Sequence, residues 1–285
     1  MNIKLLRSFL VLADCLHYGE AAQRLCLTQP ALTKQIRQLE SDLGGPLFVR
    51  GRHGTALTGL GRYLRDEGGD LLRRSEALTS RARQAARGEA GRLAIGFGLS
   101  SIELAPRWVA AFRRQYPQVE VSLEDMSSAE QVARLLAGTL QLGFVRLPVA
   151  PPLACRALLT DQLALATADP ALACTTPAAV AAAPLIALLP QRGPGLAGQV
   201  AQWFAGHGLH AEAAQQTSDI QTVLALVAAG TGVAIVPRSA ARIAPPDVRL
   251  LPLPGGECGW QVGMAWHPGR DEPARDRFVA LVTAG

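Results

Sequence analysis

Residues 21–37, AAQRLCLTQPALTKQIR, read as two short helices meeting at a turn. Ala21, Ala22 and Leu25 recur at helical spacing and the period breaks at Cys26-Leu27. Thr28 then offers a hydroxyl to cap a second helix, whose first turn tolerates Pro30. In that helix Leu32, Ile36 and Leu39 form an apolar stripe, leaving Gln29, Pro30, Thr33, Lys34 and Arg37 on or near the solvated face. This is a helix-turn-helix pattern, in which the exposed second helix fits a DNA major groove about as wide as a helix. The spacing is degenerate, and an ordinary αα-hairpin inside a globular domain is the alternative.

Outward from this stretch, residues 3–16 read as an amphipathic helix with Leu5, Leu6, Phe9, Leu10, Ala13 and Leu16 on one side, the floor of a small core. Leu39, Leu43, Leu47 and Phe48 close that core, Gly44-Gly45-Pro46 make a bend, and residues 49–58, VRGRHGTALT, read as a two-stranded wing. Arg50 and Arg52 on such a wing would meet phosphates or the minor groove, positioning the module without reading much sequence. From residue 58 to about 87 a long helix is expected. Leu57, Leu64, Leu71, Leu78 and Ala85 are spaced by seven, and four places after the leucines stand Gly61, Gly68, Ser75 and Ala82. A leucine stripe flanked by small residues suits the close approach of two helices, so Leu57, Leu64, Leu71 and Leu78 are read as a dimerisation seam. Gly59, Gly61, Gly68 and Gly69 each weaken an isolated helix by about 1 kcal/mol, which packing must offset. A flexible charged linker is the alternative.

The 285 residues leave room for a small N-terminal module and a larger domain of one or two lobes. The net charge is +5, and residues 1–90 carry all of it: 14 Lys/Arg against 9 Asp/Glu there, and 14 of each in residues 91–285. A polyanionic partner, double-stranded DNA, for the N-terminal part and a neutral remainder follow. The five cysteines, Cys15, Cys26, Cys155, Cys174 and Cys258, are odd in number and scattered, so neither a disulfide framework nor a metal site is expected. Cys15 and Cys26 read as small residues of apolar helix faces, and Cys155 with Cys174 is the one conceivable redox pair. The N-terminal apolar run is interrupted by Arg7 and Asp14 and lacks a cleavage pattern, and the run at 178–189 is short and broken by Pro184. Neither secretion nor a membrane span is expected, which places the protein in the cytoplasm.

Beyond Gly91 the period changes. Strand-like GRLAIGFG, VEVSLED and LQLGFVR alternate with helical 101–115 and 128–137, and CRALLTDQLALATA, PLIALLP, AEAAQQT, GVAIVP and GWQVGMAW continue the series around helices at 195–206, 219–229 and about 273–282. Such alternation points to an α/β fold with a mainly parallel sheet covered on both faces. Ligands of such domains sit beyond the carboxyl ends of the strands, often between two lobes. Those ends carry Ser100-Ser101, Ser127-Ser128, Arg146, Gln191-Arg192 and Thr217-Ser218. Helix N-termini, hydroxyls and an arginine make an anion cradle into which a small carboxylate would fit, with mere N-capping as the alternative for the serines. Catalysis is hard to build. His17, His53, His207, His210 and His267 have no placed nucleophile or carboxylate pair, and there is neither a Gly-x-Gly-x-x-Gly motif nor a phosphate loop, the lysines being Lys4 and Lys34 alone. No enzyme activity, cofactor or metal is expected.

The run 21–50, AAQRLCLTQPALTKQIRQLESDLGGPLFVR, resembles the motif of the LysR-type transcriptional regulators, and the resemblance extends over the whole chain. It implies a winged helix-turn-helix (1–58), a linker and dimerisation helix (59–90), and a two-lobed α/β regulatory domain (91–285) similar to periplasmic solute-binding proteins. Lobe I then covers about 91–160 plus 265–285, and lobe II about 161–264. It further implies a homodimer, commonly paired into a homotetramer, that binds promoter DNA and alters DNA bending or contacts with RNA polymerase when an inducer enters the cleft. On the motif, Thr28, Gln29, Pro30, Thr33, Lys34 and Arg37 belong to the recognition helix and its start, and Arg50 and Arg52 to the wing. Ser100, Ser101, Ser128 and Arg146 match positions that often line the inducer site. Residues 123–148 and 217–237 are most similar to the branch responding to aromatic-degradation intermediates. Lys34 stands where the family usually has arginine and Tyr18 where it usually has phenylalanine, and the chain is expected to lack the tail some members carry after the last helix. A ligand-insensitive repressor or architectural protein is the second reading, and a solute-binding or enzymatic protein the third.

Overall fold

The computed structural model describes residues 2–51, 54–169, 176–254 and 258–284. The chain divides into two compact units, Met1–Gln84 and Ala85–Gly285.

In the first unit three helices, α1 (Ile3–Cys15), α2 (Tyr18–Arg24) and α3 (Gln29–Leu43), are followed by a hairpin of β1 (Phe48–Gly51) and β2 (Gly54–Leu57) and by the long α4 (Gly59–Ala86). Each short helix starts on a polar cap: Asn2, His17 and Thr28 accept from Lys4, Glu20 and Ala31 N–H. Gly44 ends α3 in the left-handed region at φ 75°, where an L side chain would be strained. The turn between α2 and α3 holds Cys26 at φ 53° with its side chain exposed, correcting its reading as a core residue: a turn residue, not a helix face, is required there. Cys15 packs against the core. Leu6, Phe9, Leu12, Leu32, Ile36, Leu39 and Leu47 are fully buried, and Phe48 folds over Phe9 with ring centroids 5.4 Å apart.

The leucine repeat is not one seam. Leu57 lies in β2, and both it and Leu64 pack into the domain's own core, whereas Leu71 and Leu78 are 40% and 61% exposed. The small residues follow the same division. A Cβ on Gly61 would stand 2.2 Å from the Leu47 carbonyl oxygen, and one on Gly68 2.8 Å from Leu6 Cδ1. Those glycines seat α4 on its own domain, with Arg7 and Glu76 paired at 2.6 Å further along. Spacing alone does not distinguish a stripe facing its own domain from one facing a partner.

The second unit begins with β3 (Ala90–Phe97), a single 3₁₀ turn (Leu99–Ser101), α5 (Leu104–Gln115), β4 (Gln118–Asp125), α6 (Ser128–Ala137), β5 (Leu142–Arg146) and β6 (Ala154–Thr167). It continues through α7 (Pro177–Ala182), β7 (Leu185–Leu188), α8 (Pro194–Gly206), β8 (Ala213–Thr217), α9 (Ile220–Ala228), β9 (Ala234–Pro237), a second 3₁₀ stretch (Arg238–Arg242), β10 (Arg249–Pro252), β11 (Gly259–Trp266) and α10 (Pro273–Ala284). The helix expected from Ser101 starts only at Leu104, because Ser101 bonds back to Gly98 and closes the 3₁₀ turn. The main sheet runs β10-β6-β11-β5-β3-β4, with β9 also on β6.

The expectation of a mainly parallel sheet is corrected. β3 pairs in parallel with β4 and β5, and β7 with β8, but β11 is antiparallel to both β5 and β6, and β9 and β10 are antiparallel to β6. Parallel pairs occur where a helix carries the chain back over the sheet; β10 and β11 return without an α-helix, while β9 follows α9, with a parallel bridge from Val233 to Leu185 just before it, and is antiparallel to β6. The 14-residue β6 and the returning β11 run through both lobes. Lobe I packs Leu93, Ile95, Phe112, Phe144 and Phe278 on one face of its strands and Leu135, Leu140 and Val145 on the other. Lobe II is built around Leu165, Trp203, Phe204 and Ile235 on one side and Ile186, Val223, Leu224 and Val227 on the other.

Candidate functional site

Two surfaces carry free polar groups of the expected kind. On α3, Gln29, Pro30, Thr33, Lys34 and Arg37, joined by Gln38 and Ser41, form one open, shallow concave face. The buried stripe Leu32-Ile36-Leu39 dictates this, since it anchors one side of the helix and turns the other to solvent. Two hydroxyls on it are already engaged: Thr28 Oγ1 accepts from Ala31 N–H at 3.4 Å and Thr33 Oγ1 donates to the Gln29 carbonyl at 2.9 Å. Gln38 donates to Asp42 at 2.8 Å. The side chains of Gln29, Lys34 and Arg37 have no partner among the described residues. Arg50 falls in β1, but its side chain and the whole of Arg52 lie outside the described residues.

The second surface is a cleft of about 690 Å³ between the lobes of the second unit. Lobe I supplies Gly98–Ser101, the end of β4 with the start of α6 (Asp125–Glu130), and the end of β5 with the loop behind it (Arg146–Ala150); lobe II supplies Gln191–Leu196, Ser218–Ile220 and Pro237, and Trp260 and Val262 of β11 form part of the wall. Arg146 is the strand-end residue held from most sides. Its backbone N–H donates to Ser128 Oγ at 3.0 Å, and its Nη1 crosses to the Gly195 carbonyl of lobe II at 2.7 Å. Its guanidinium carbon stands 3.7 Å from the centre of the Trp260 ring. Burial draws the guanidinium down to about 10, opposed by the negative charge of Asp161, so it remains a cation at neutral pH. Asp161 is itself buried and accepts from Ser239 Oγ at 2.8 Å.

The other expected cleft residues divide. Ser100 lines the cleft with its hydroxyl unengaged among the described residues; Ser101 is buried with its hydroxyl on the Gly98 carbonyl at 3.0 Å. Ser127 caps α6 by accepting from Glu130 N–H at 3.2 Å. Gln191 and Arg192 line the opposite wall, with Arg192 Nε donating to the Ser218 carbonyl at 3.2 Å. Thr217 is a correction. It ends β8 away from the cleft wall, and its hydroxyl donates to the Asp219 carbonyl at 2.9 Å, so the residues that reach the cleft are Ser218, Asp219 and Ile220. Asp125 and Trp260 were missed. Asp125 ends the strand VEVSLED, a position the strand-end rule should have flagged, whereas the side of β11 that Trp260 occupies follows from a pairing no local pattern reveals.

Among the described residues no group of three or more His, Cys, Asp or Glu side chains could hold a metal ion, and no helix is long and apolar enough to cross a membrane. Cys155 is exposed at the start of β6, and Cys174 lies outside the described residues.

Residues 3–62 match the family model of bacterial regulatory helix-turn-helix proteins of the lysR family, and residues 86–285 match the LysR substrate binding domain. The chain belongs to the LysR family of transcriptional regulators. This LysR-type regulator is 31% identical to the uncharacterized HTH-type transcriptional regulator YnfL of Escherichia coli (strain K12), covering 100% of this chain and 99% of that protein. It is likewise 31% identical to the HTH-type transcriptional regulator TcbR of Pseudomonas sp. (strain P51), covering 99% and 98%. Its fold is similar to the crystal structure of full-length CbnR complexed with its target DNA, at 30% identity and a TM-score of 0.80 over 100% of this chain and 99% of that one. The LysR-type regulator is thus a DNA-binding protein with an effector-binding domain, and the face of α3 belongs to its DNA-binding domain.

Proposed function

We propose that the regulator reads its operator through Gln29 and Lys34, with Arg37 and the wing on phosphates, and that a small carboxylate bound between the lobes controls it. The recognition face supports the first part. Gln29 has the donor and acceptor to pair with adenine and Lys34 the charge to meet guanine. Gln29→Ala and Lys34→Ala are each expected to weaken binding to the operator by about 1–3 kcal/mol with little change on random duplex, whereas Arg50→Ala weakens both alike. Titrations of the two duplexes at fixed salt decide this, and an equal loss on both for all three variants would reject the division.

The observation that carries the second part is Arg146, a cation held on Trp260 and on the facing lobe, in the lining of a cavity of small-molecule size. Because Arg146 touches both lobes, a ligand that engages it changes the balance between lobe arrangements, and such a shift is the means of control. DNA footprinting upstream of the protein's own gene, with and without a panel of aromatic and dicarboxylic acids, tests it. A protected region that shortens or moves with one acid supports the reading; a footprint indifferent to every acid favours the ligand-insensitive repressor. Through the altered footprint the regulator would act on DNA bending or on RNA polymerase.

The DNA-bound species is proposed to be a homodimer or homotetramer, joined through the exposed end of α4, where Leu71 and Leu78 stand one heptad apart. Leu78→Asp is expected to yield monomers in light scattering and to lower affinity for a two-half-site operator roughly 100-fold through lost avidity. An unchanged mass would remove Leu78 from the interface.

A further inference from the structure

The chain passes between the lobes in β6 and β11, and contacts across the cleft help to fix how the lobes stand. One of these is the Arg146 bond to Gly195. Another is made where the 3₁₀ turn Leu99–Ser101 of lobe I meets the 3₁₀ stretch Arg238–Arg242 of lobe II. Leu99 leaves its own lobe there. It packs against the lobe II core that holds Ile186, Val223, Val236 and Ala240, and is the only lobe I residue among the described residues of that cluster. Close to it in the chain, Glu103 Oε2 of lobe I meets Arg242 Nη2 of lobe II at 2.6 Å.

Both sides of this contact are tied to their own lobes. The buried Ser101 closes its turn by donating to the Gly98 carbonyl at 3.0 Å and accepting from Gly98 N–H at 3.3 Å. The facing stretch is fastened to β6, where the buried Asp161 accepts from Ser239 Oγ at 2.8 Å and Ser239 N–H at 3.3 Å, and Ala240 is fully buried. Leu99 and Ser100 also line the cleft, so a molecule bound beside them presses on this turn. Of the two contacts Leu99 is the larger: burying a leucine shifts a two-state balance by roughly tenfold or more, whereas an ion pair with side chains 49% and 63% exposed shifts it by about fivefold at most.

Resting on the reading that a shift in lobe arrangement controls DNA binding, we propose that Leu99 is the positioning residue that couples the cleft to lobe II, with the Glu103–Arg242 pair setting the register of the contact. While Leu99 is seated the lobes keep the described arrangement, and an effector that displaces the turn unseats it and releases lobe II.

The test measures the distance between nitroxides carried on ketone side chains introduced at two exposed positions, Gln118 of β4 in lobe I and Gln215 of β8 in lobe II. Full-length chains are diluted with unlabelled chain so that only pairs within one chain are read. With no acid present, Leu99→Ala is expected to shift and broaden the wild-type distribution, and Leu99→Met, which refills the socket, to keep it. Glu103→Lys sets a cation against Arg242 and should shift the distribution in the same sense, and adding Arg242→Glu should restore it. Both Glu103 and Arg242 are exposed, so this pair decides the matter even where Leu99→Ala does not fold. On DNA upstream of the protein's own gene, Leu99→Ala and Glu103→Lys should each alter the footprint without acid. An unshifted distribution in both variants would overturn the inference while leaving control by lobe arrangement standing. A shifted distribution with a wild-type footprint would remove control by lobe arrangement, and the coupling role of Leu99 with it.

Discussion

Replacing Gly61 by alanine is expected to destabilise the DNA-binding unit by about 2–3 kcal/mol, the scale of overpacking into a rigid wall. The added methyl would sit 2.2 Å from the Leu47 carbonyl oxygen and 2.9 Å from Leu57 Cδ2. The Leu47 carbonyl has no room to retreat: it accepts from Thr58 N–H at 3.0 Å, and Leu47 is fully buried. The strain would push α4 off the core that Leu64 helps close, and the hairpin with it. In a thermal melt the transition of this unit should fall by roughly 10–20 °C, with loss of DNA binding at temperatures where the wild type still binds. Gly69→Ala is the matched control. Its Cβ would meet nothing closer than Arg73 Nη1 at 3.7 Å, so the usual helix preference for alanine applies and the melt should rise slightly. If Gly61→Ala melts like Gly69→Ala, α4 is not seated as described.

Arg146→Ala should abolish the response to acid ligands at concentrations that saturate the wild type, a loss of about 2–3 kcal/mol, or roughly 30- to 150-fold in affinity. The group removed is a cation, part-shielded from solvent, bonded to Gly195 across the cleft and stacked on Trp260, so its pairing with a carboxylate is screened less than at an open surface. Arg146→Lys should recover only part of the response, since an ammonium keeps the charge but neither stacks on the indole as a planar group nor bonds bidentately. Basal DNA affinity should stay near wild type in both, because the groups offered to DNA lie on α3 in the other unit. Paired ligand titrations and DNA-binding isotherms check this; an unchanged dose response in Arg146→Ala would take Arg146 out of the site.

Much of this was legible along the chain. The α3 stripe and its Thr28 cap fall where their spacing places them, because a helix of one amphipathic period has one way to bury Leu32, Ile36 and Leu39. α6 also begins at Ser128 behind its Ser127 cap, and α4 runs its expected length in spite of its glycines. Arg146 and both serine pairs, placed at strand ends by hydrophobic runs that are visible locally, all line the cleft.

Sequence by itself thus determined most of the elements, their order, and which polar groups stand at their ends, though not α7 or β10, since helix period, capping and turn chemistry act over a few residues. Tertiary structure alone decided what faces what. It turned Leu57, Leu64, Gly61 and Gly68 inward to one domain's core while leaving Leu71 and Leu78 outside, and it laid β11 antiparallel between β5 and β6, which put Trp260 beneath Arg146. It moved Thr217 off the cleft wall and brought Asp125 into the lining of the same cavity as Arg192. These are pairings between residues tens of positions apart, chosen by which surfaces bury together, and a local period carries no information about its partner surface.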